Sequence, residues 1–229
     1  MIKLRGSVWW ADFRRPDGKR VRKSLSTTDK KEAKLLEAKL VSFLELWDNY
    51  VTGDPYKVDG KVPDGFDNQC AIRMSATFHK LGIDMKSFSS KVVKPENGEK
   101  SIGRILLDGK PTATRANELR QWLNLHPIPN IYKAENITGA DWQSKIKGRT
   151  GIVAFEGYWQ RDSDGGSDTS GGHIDLWNKT TLTPSVESFL RFRAGINRVP
   201  NPLAFLRGRE GNWYSDLGKS KQILFWEIK

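Results

Sequence analysis

The chain has 229 residues with 38 Lys/Arg, 27 Asp/Glu and a net charge of +11, long enough for one large domain or a domain with a small appendage. Its one cysteine excludes an internal disulfide and a multi-cysteine zinc site, its three histidines argue against an all-protein metal site, and it has no run of about 18 apolar residues that could span a membrane. The charge is uneven. Residues 1–40 hold 12 basic and 5 acidic residues, a net +7, against +4 for the remainder, so an appended basic module is expected over 1–40 and a separate domain over 41–229. The opening Met1-Ile2-Lys3-Leu4-Arg5-Gly6 lacks the apolar core of a secretory signal, so any export is expected without an N-terminal leader.

Residues 2–14 alternate as one strand, with Trp9, Ala11 and Phe13 on one face. Arg15-Pro16-Asp17-Gly18-Lys19 reads as a turn, and Lys19 to Leu25 as the returning strand. Asp29 and Glu32 have capping-box spacing, opening a helix expected to carry Ala33, Leu36, Leu40, Phe43, Leu44 and Trp47 on one stripe to about Asn49. Residues 50–67 are loop-like. A helix around Cys70 follows, with Asn68 as N-cap, Ala71, Met74, Phe78 and Leu81 inward, and Gly82 as the stop. Residues 83–111 are polar, with one short strand near Ile102–Leu107. Helices are expected over Thr114–Asn124, with Ala116, Leu119, Trp122 and Leu123 inward, and over Thr138–Lys147. Gly151–Trp159 and His173–Trp177 read as an antiparallel strand pair around a Ser/Asp/Gly-rich loop. Val186–Ala194 and Ile223–Ile228 complete the strands. Helices first and an antiparallel sheet after them make an α+β domain.

The chemistry concentrates on Cys70 and His173. A cysteine in the first turn of a helix lies where the helix dipole and an adjacent imidazolium favour the thiolate, and the unpaired amides of that turn can bind an oxyanion. His173 on a later strand is placed to accept the thiol proton and return it to a leaving amine. Asp175, two residues on, projects from the same strand face and can orient the imidazole. Glu187, near the start of the next strand, is the other candidate for that role. Gly171 and Gly172 remove side-chain bulk beside the histidine.

Five stretches carry a family resemblance. They are Phe43-Leu44-Glu45-Leu46-Trp47-Asp48-Asn49-Tyr50, Asn68-Gln69-Cys70-Ala71-Ile72-Arg73-Met74-Ser75, Gly151 to Tyr158, Gly172-His173-Ile174-Asp175-Leu176-Trp177-Asn178, and Ser215-Asp216-Leu217-Gly218-Lys219 with Leu224-Phe225-Trp226-Glu227. In this order they resemble the fourth family of type VI secretion amidase effectors. The resemblance implies a papain/NlpC-like fold with Cys70 as nucleophile and His173 as base, and no cofactor. It implies hydrolysis of the peptidoglycan amide between γ-D-glutamate and meso-diaminopimelate in a rival's periplasm, delivery by the type VI secretion apparatus, and a cognate immunity protein. The family's acidic orienter would fall at Pro184, which cannot serve, so the third position stays open between Asp175 and Glu187.

Residues 5–35 resemble the N-terminal arm-binding domain of phage-type integrases, a small sheet backed by a helix. This implies DNA contact through residues 1–40, with Trp9, Arg14, Arg20 and Arg22 as contact candidates. Two other readings stand beside it: a fold fragment kept for delivery or docking, and a solvated basic hairpin. From another functional class, the alternative for the whole chain is a DNA-binding module of mobile-element origin with an inert or differently directed papain-like domain.

Overall fold

The structure is a computed structural model. It describes residues 2–14, 20–33, 42–96, 98–125, 128, 131, 133–159, 171–183, 199–200, 213–214 and 217–228. The chain forms two compact units, Met1–Val41 with Ile128–Asn130, and Ser42–Pro127 with Ile131–Lys229.

In the first unit the single strand expected over 2–14 is two strands, β1 (Ile2–Arg5) and β2 (Val8–Arg14), because Gly6 takes φ +60 and turns the chain. With β3 (Arg20–Ser24) they form an antiparallel sheet in the order β1-β2-β3. The expected turn at 15–19 lies outside the described residues. Helix α1 is described over residues 30–33, and Asp29 caps it by accepting the Glu32 amide at 2.7 Å. The reciprocal half of the capping box is absent: the Asp29 amide donates to the Thr27 hydroxyl, which itself donates to Glu32. Ala11, Leu25 and Ala33 bury together, with Ile2 and Trp9 packed against them.

The expected long helix does not run through Ser42. That residue is extended, at φ −78 and ψ 156, and caps a new helix, α2 (Phe43–Asp48), through a full capping box with Glu45. Phe43 and Leu46 are buried, whereas Leu44 is half exposed. Leu36 and Leu40 lie outside the described residues.

Helix α3 (Cys70–Lys80) buries Ala71, Ile72, Met74 and Phe78 completely, each large side chain contributing about 1.5–3 kcal/mol by transfer from water. Gly82, at φ +72, ends it as expected. Residues 83–111 hold more order than their polarity suggests. β4 (Arg104–Leu107) and β5 (Lys110–Ala113) form a hairpin around Asp108 and Gly109, both at positive φ, the Asp-Gly two-residue turn. The Ser75 hydroxyl accepts the Ala113 amide and ties that hairpin to α3. α4 (Ala116–Asn124) buries Ala116, Leu119, Trp122 and Leu123 as expected.

The main sheet is antiparallel, in the order β6-β12-β7-β8-β9, from β6 (Glu135–Asn136), β7 (Thr150–Trp159), β8 (Gly171–Asn178), β9 (Thr181–Leu182) and β12 (Gln222–Glu227). A two-stranded ladder joins β10 (Val199–Pro200) to β11 (Trp213–Tyr214). The strand expected over Val186–Ala194 and the loop at 160–170 lie outside the described residues. α5 (Trp142–Ile146) starts four residues later than expected. Thr138 is held to the sheet instead, taking the Ile223 amide and bonding to Asn136. Trp142 packs edge-on against Phe155 and Trp177, with centroids 5.0 and 5.3 Å away, covering one sheet face. The second unit is thus α+β, with helices packed on an antiparallel sheet. Among the described residues, no helix is long and apolar enough to cross a membrane.

Candidate active site

Cys70 is the first residue of α3. Gln69 occupies the cap position without a side-chain cap bond, but Asn68, one residue further out, accepts the Cys70 amide at 3.2 Å. The fully buried Gln69 is held differently. Its carboxamide accepts from the Tyr56 amide and donates to the Tyr56 carbonyl, both at 2.8 Å, pinning the 50–67 segment to the start of α3.

α3 packs against β8. β9 pairs with β8 only at Trp177 and Asn178, so among the described residues the rest of that strand edge is not laddered. The Cys70 thiol lies against it, hydrogen-bonded to His173 and to the Ile174 backbone. Burial pushes the thiol up. The His173 hydrogen bond and charge, the Ile174 bond and the Arg73 charge together outweigh burial and leave it below its ordinary value.

His173 and Asp175 share a strand face, opposite Phe155 and Val153 of β7. His173 Nε2 lies 3.7 Å from Asp175 Oδ2, within ion-pair range but longer than a hydrogen bond, and its ring stacks near Phe155 with centroids 6.3 Å apart. Asp175 Oδ1 accepts the Leu176 amide at 2.8 Å and the Thr183 hydroxyl. Thr183 is also hydrogen-bonded to Tyr50. Its single hydroxyl proton goes to Asp175, so the Tyr50 hydroxyl donates to it. Burial and then the Asp175 charge push the Tyr50 phenol well above its ordinary value, against Arg73 and Thr183, so it remains a donor. A chain of contacts therefore runs Tyr50–Thr183–Asp175–His173–Cys70.

Three residues singled out from sequence, Cys70, His173 and Asp175, come together here, while Glu187 and Pro184 lie outside the described residues. Sequence reasoning passed over Tyr50, Thr183 and the Ile174 backbone. Of these, only Tyr50 carried a signal, closing the stretch Phe43–Tyr50. Trp177 is a core residue, its indole donating to the Ile146 carbonyl at 3.0 Å. The space left by Gly172 is filled by α4. An added Cβ would meet Asn117 Oδ1 at 2.6 Å and the Ala116 methyl at 3.4 Å, so this glycine admits a helix rather than a ligand. Asn117 in turn donates to Glu96, and the buried Glu118 accepts the Glu96 and Gly103 amides, fastening residues 96–103 to α4.

The basic strands of the first unit use several of their charges internally. Arg20 grips Asp12 through two bonds of 2.7 and 2.6 Å, and Lys3 lies 3.6 Å from the same carboxylate. Trp9 donates to the Thr28 carbonyl and lies under Lys30, and Trp10 under Arg5. Arg20 and Trp9, two of the four DNA-contact candidates, thus have partners within the chain. The Arg14 side chain lies outside the described ones.

A family model described as type VI secretion system amidase effector protein 4 matches residues 66–226, and one for the phage integrase N-terminal domain matches residues 1–50. No curated protein matches the chain. Among solved structures, the type VI effector Tae4 from Enterobacter cloacae is 17% identical with a TM-score of 0.46, covering 82% of this chain and 96% of that one. Tae4 from Salmonella typhimurium, crystallised with the immunity protein Tai4 from Enterobacter cloacae, is 19% identical with a TM-score of 0.45, covering 82% and 98%. An Enterobacter cloacae Tae4–Tai4 complex is 20% identical at 0.38, covering 72% and 76%. With its family model matched across residues 66–226 of 229, this chain belongs to the type VI secretion amidase effector 4 family.

Proposed function

We propose that this amidase effector is an antibacterial toxin that opens the peptidoglycan stem peptide at the γ-D-glutamyl–meso-diaminopimelate amide, with Cys70 as nucleophile and His173 as base. The observation that carries the reading is the Cys70 thiol at the first position of α3, hydrogen-bonded to His173 and lowered below its ordinary value despite burial. His173 takes the thiol proton, and the thiolate attacks the amide carbonyl carbon. The proton passes to the leaving amine as the C–N bond breaks. Water, deprotonated by His173, then releases the acyl group from sulfur. Asn68 holds the Cys70 amide, so the other first-turn amides of α3 are the oxyanion donors in this reading. Asp175 orients the imidazole. With Nε2 turned toward Asp175, Nδ1 is the nitrogen left for the thiol.

The site of action is the periplasm of the target cell, the carrier is the type VI secretion apparatus, and a cognate immunity protein protects the producer. Residues 41–229 form the amidase domain, and residues 1–40 are an appendage used for delivery or docking. Digestion of purified muropeptides followed by mass spectrometry tests the reading. Cleavage at the γ-D-glutamyl amide by wild type and at least about 10⁴-fold less by Cys70→Ala are expected. Undiminished cleavage by Cys70→Ala refutes the thiol mechanism, and intact stems with wild type refute the substrate.

A further inference from the structure

Arg73 lies three residues after Cys70 on α3, which puts their Cβ atoms about 5–6 Å apart on one helix face. Its guanidinium acts electrostatically on both Cys70 and Tyr50, so it lies by the site. The side chain is partly exposed, but its Nε is buried and has no hydrogen-bond partner among the described residues, none of which forms an ion pair with it. Asp175, the carboxylate of the site, is engaged instead by Leu176, Thr183 and His173. A buried guanidinium donor without an acceptor is costly, and the acceptor that suits its planar fork is a carboxylate.

We infer that Arg73 is a substrate-binding residue that receives a carboxylate on the acyl side of the scissile amide. The inference rests on Cys70 being the nucleophile. In the stem peptide proposed above, this ligand is the α-carboxylate of D-glutamate, four bonds from the carbonyl under attack. Binding there fixes the acyl group over the sulfur and selects stems whose D-glutamate is free rather than amidated.

A test that needs no peptidoglycan uses two alkylating reagents of the same shape and different charge, iodoacetate and iodoacetamide. With either, the sulfur–carbon bond forms, iodide leaves, and His173 takes the thiol proton. A change in thiolate reactivity alone moves both rates together, whereas a guanidinium that draws carboxylates in beside the sulfur moves their ratio. In full-length wild type the iodoacetate-to-iodoacetamide rate ratio is expected to exceed that of Arg73→Gln by about tenfold or more, with Arg73→Lys between them. Melting curves confirm that the variants fold. Equal ratios in wild type and Arg73→Gln, or no reaction of wild type with either reagent, overturn the inference. A second arm compares stem peptides bearing the D-glutamate α-carboxylate with their α-carboxamides. Wild type is expected to prefer the carboxylate about tenfold in kcat/KM and Arg73→Gln to lose the preference, whereas an unchanged preference in the variant overturns the inference. If neither peptide is cleaved, the substrate assignment falls, and the alkylation ratio still decides the role of Arg73.

Discussion

Asp12 and Asp175 are both strand aspartates with little exposed surface, 8% and 3%, yet they are solvated in opposite ways. Asp12 is saturated by cations: Arg20 binds it twice and Lys3 stands beside it. The Arg20 hydrogen bond holds the Asp12 carboxyl well below the usual carboxylate range, overcoming the upward push of burial. Asp175 receives an amide and a hydroxyl, both neutral, and among the described residues the only cation within ion-pair range is His173 when protonated. A carboxylate whose charge is already neutralised by arginine ties strands together. One held by neutral donors keeps its field for an imidazolium that appears during a reaction.

Exchanging Asp175 for Asn breaks the comparison most severely. It removes the charge while keeping the shape, and a fall in kcat of about 10²–10⁴-fold is expected, with the melting curve little changed. Muropeptide turnover measures it. A loss under threefold makes Asp175 as architectural as Asp12 and returns Glu187 to consideration.

The thiol titration comes next. The Cys70 alkylation rate with iodoacetamide should rise with pH around a midpoint below that of a free cysteine, and His173→Ala should move that midpoint up. The native thiol releases its proton at lower pH than the unfolded one. The stability of wild type relative to Cys70→Ala therefore increases as pH rises between the two midpoints and falls as pH drops back through the native one. Denaturation at several pH values checks the sign.

The smallest effect is expected from Arg20→Gln. It leaves Asp12 with Lys3 alone and loosens the first sheet, and should leave muropeptide cleavage by the full chain within about twofold, because Cys70, His173 and Asp175 all belong to the second unit. A large loss of cleavage would show the appendage to be part of the catalytic apparatus.

Local chemistry made much of the fold legible. The α3 stripe as far as Phe78, the Gly82 stop, the inward face of α4 and the β7–β8 pairing follow from spacing alone, whereas Leu81 is the cap of α3 and only partly buried. Two misreadings were also local: Ser42 with Glu45, and Asp108 with Gly109, carry recognised cap and turn chemistry that the surrounding apolar or polar runs overshadow. The pair Cys70 and His173 was legible from helix and strand positions. The support behind them was not. Thr183 reaches Asp175 because the chain doubles back between β8 and β9, and Tyr50 arrives from the end of α2, more than a hundred residues away. No periodicity or cap rule encodes contacts that depend on how separate elements meet. Arg73 is intermediate: its place on the face of Cys70 follows from helical spacing, but only the surroundings show that its Nε has no acceptor among the described residues.

The close fit of Gly172 against Asn117 has a consequence for how this protein can change over generations. Any side chain at 172 collides with Asn117 Oδ1, and shrinking Asn117 takes a donor from Glu96. The three positions are therefore mutationally coupled, and the order of substitution matters. Residue 117 must become small before 172 can gain a methyl, and the intermediate bears the loss at Glu96. Drift beside His173 is blocked by the packing behind it, not by the chemistry in front.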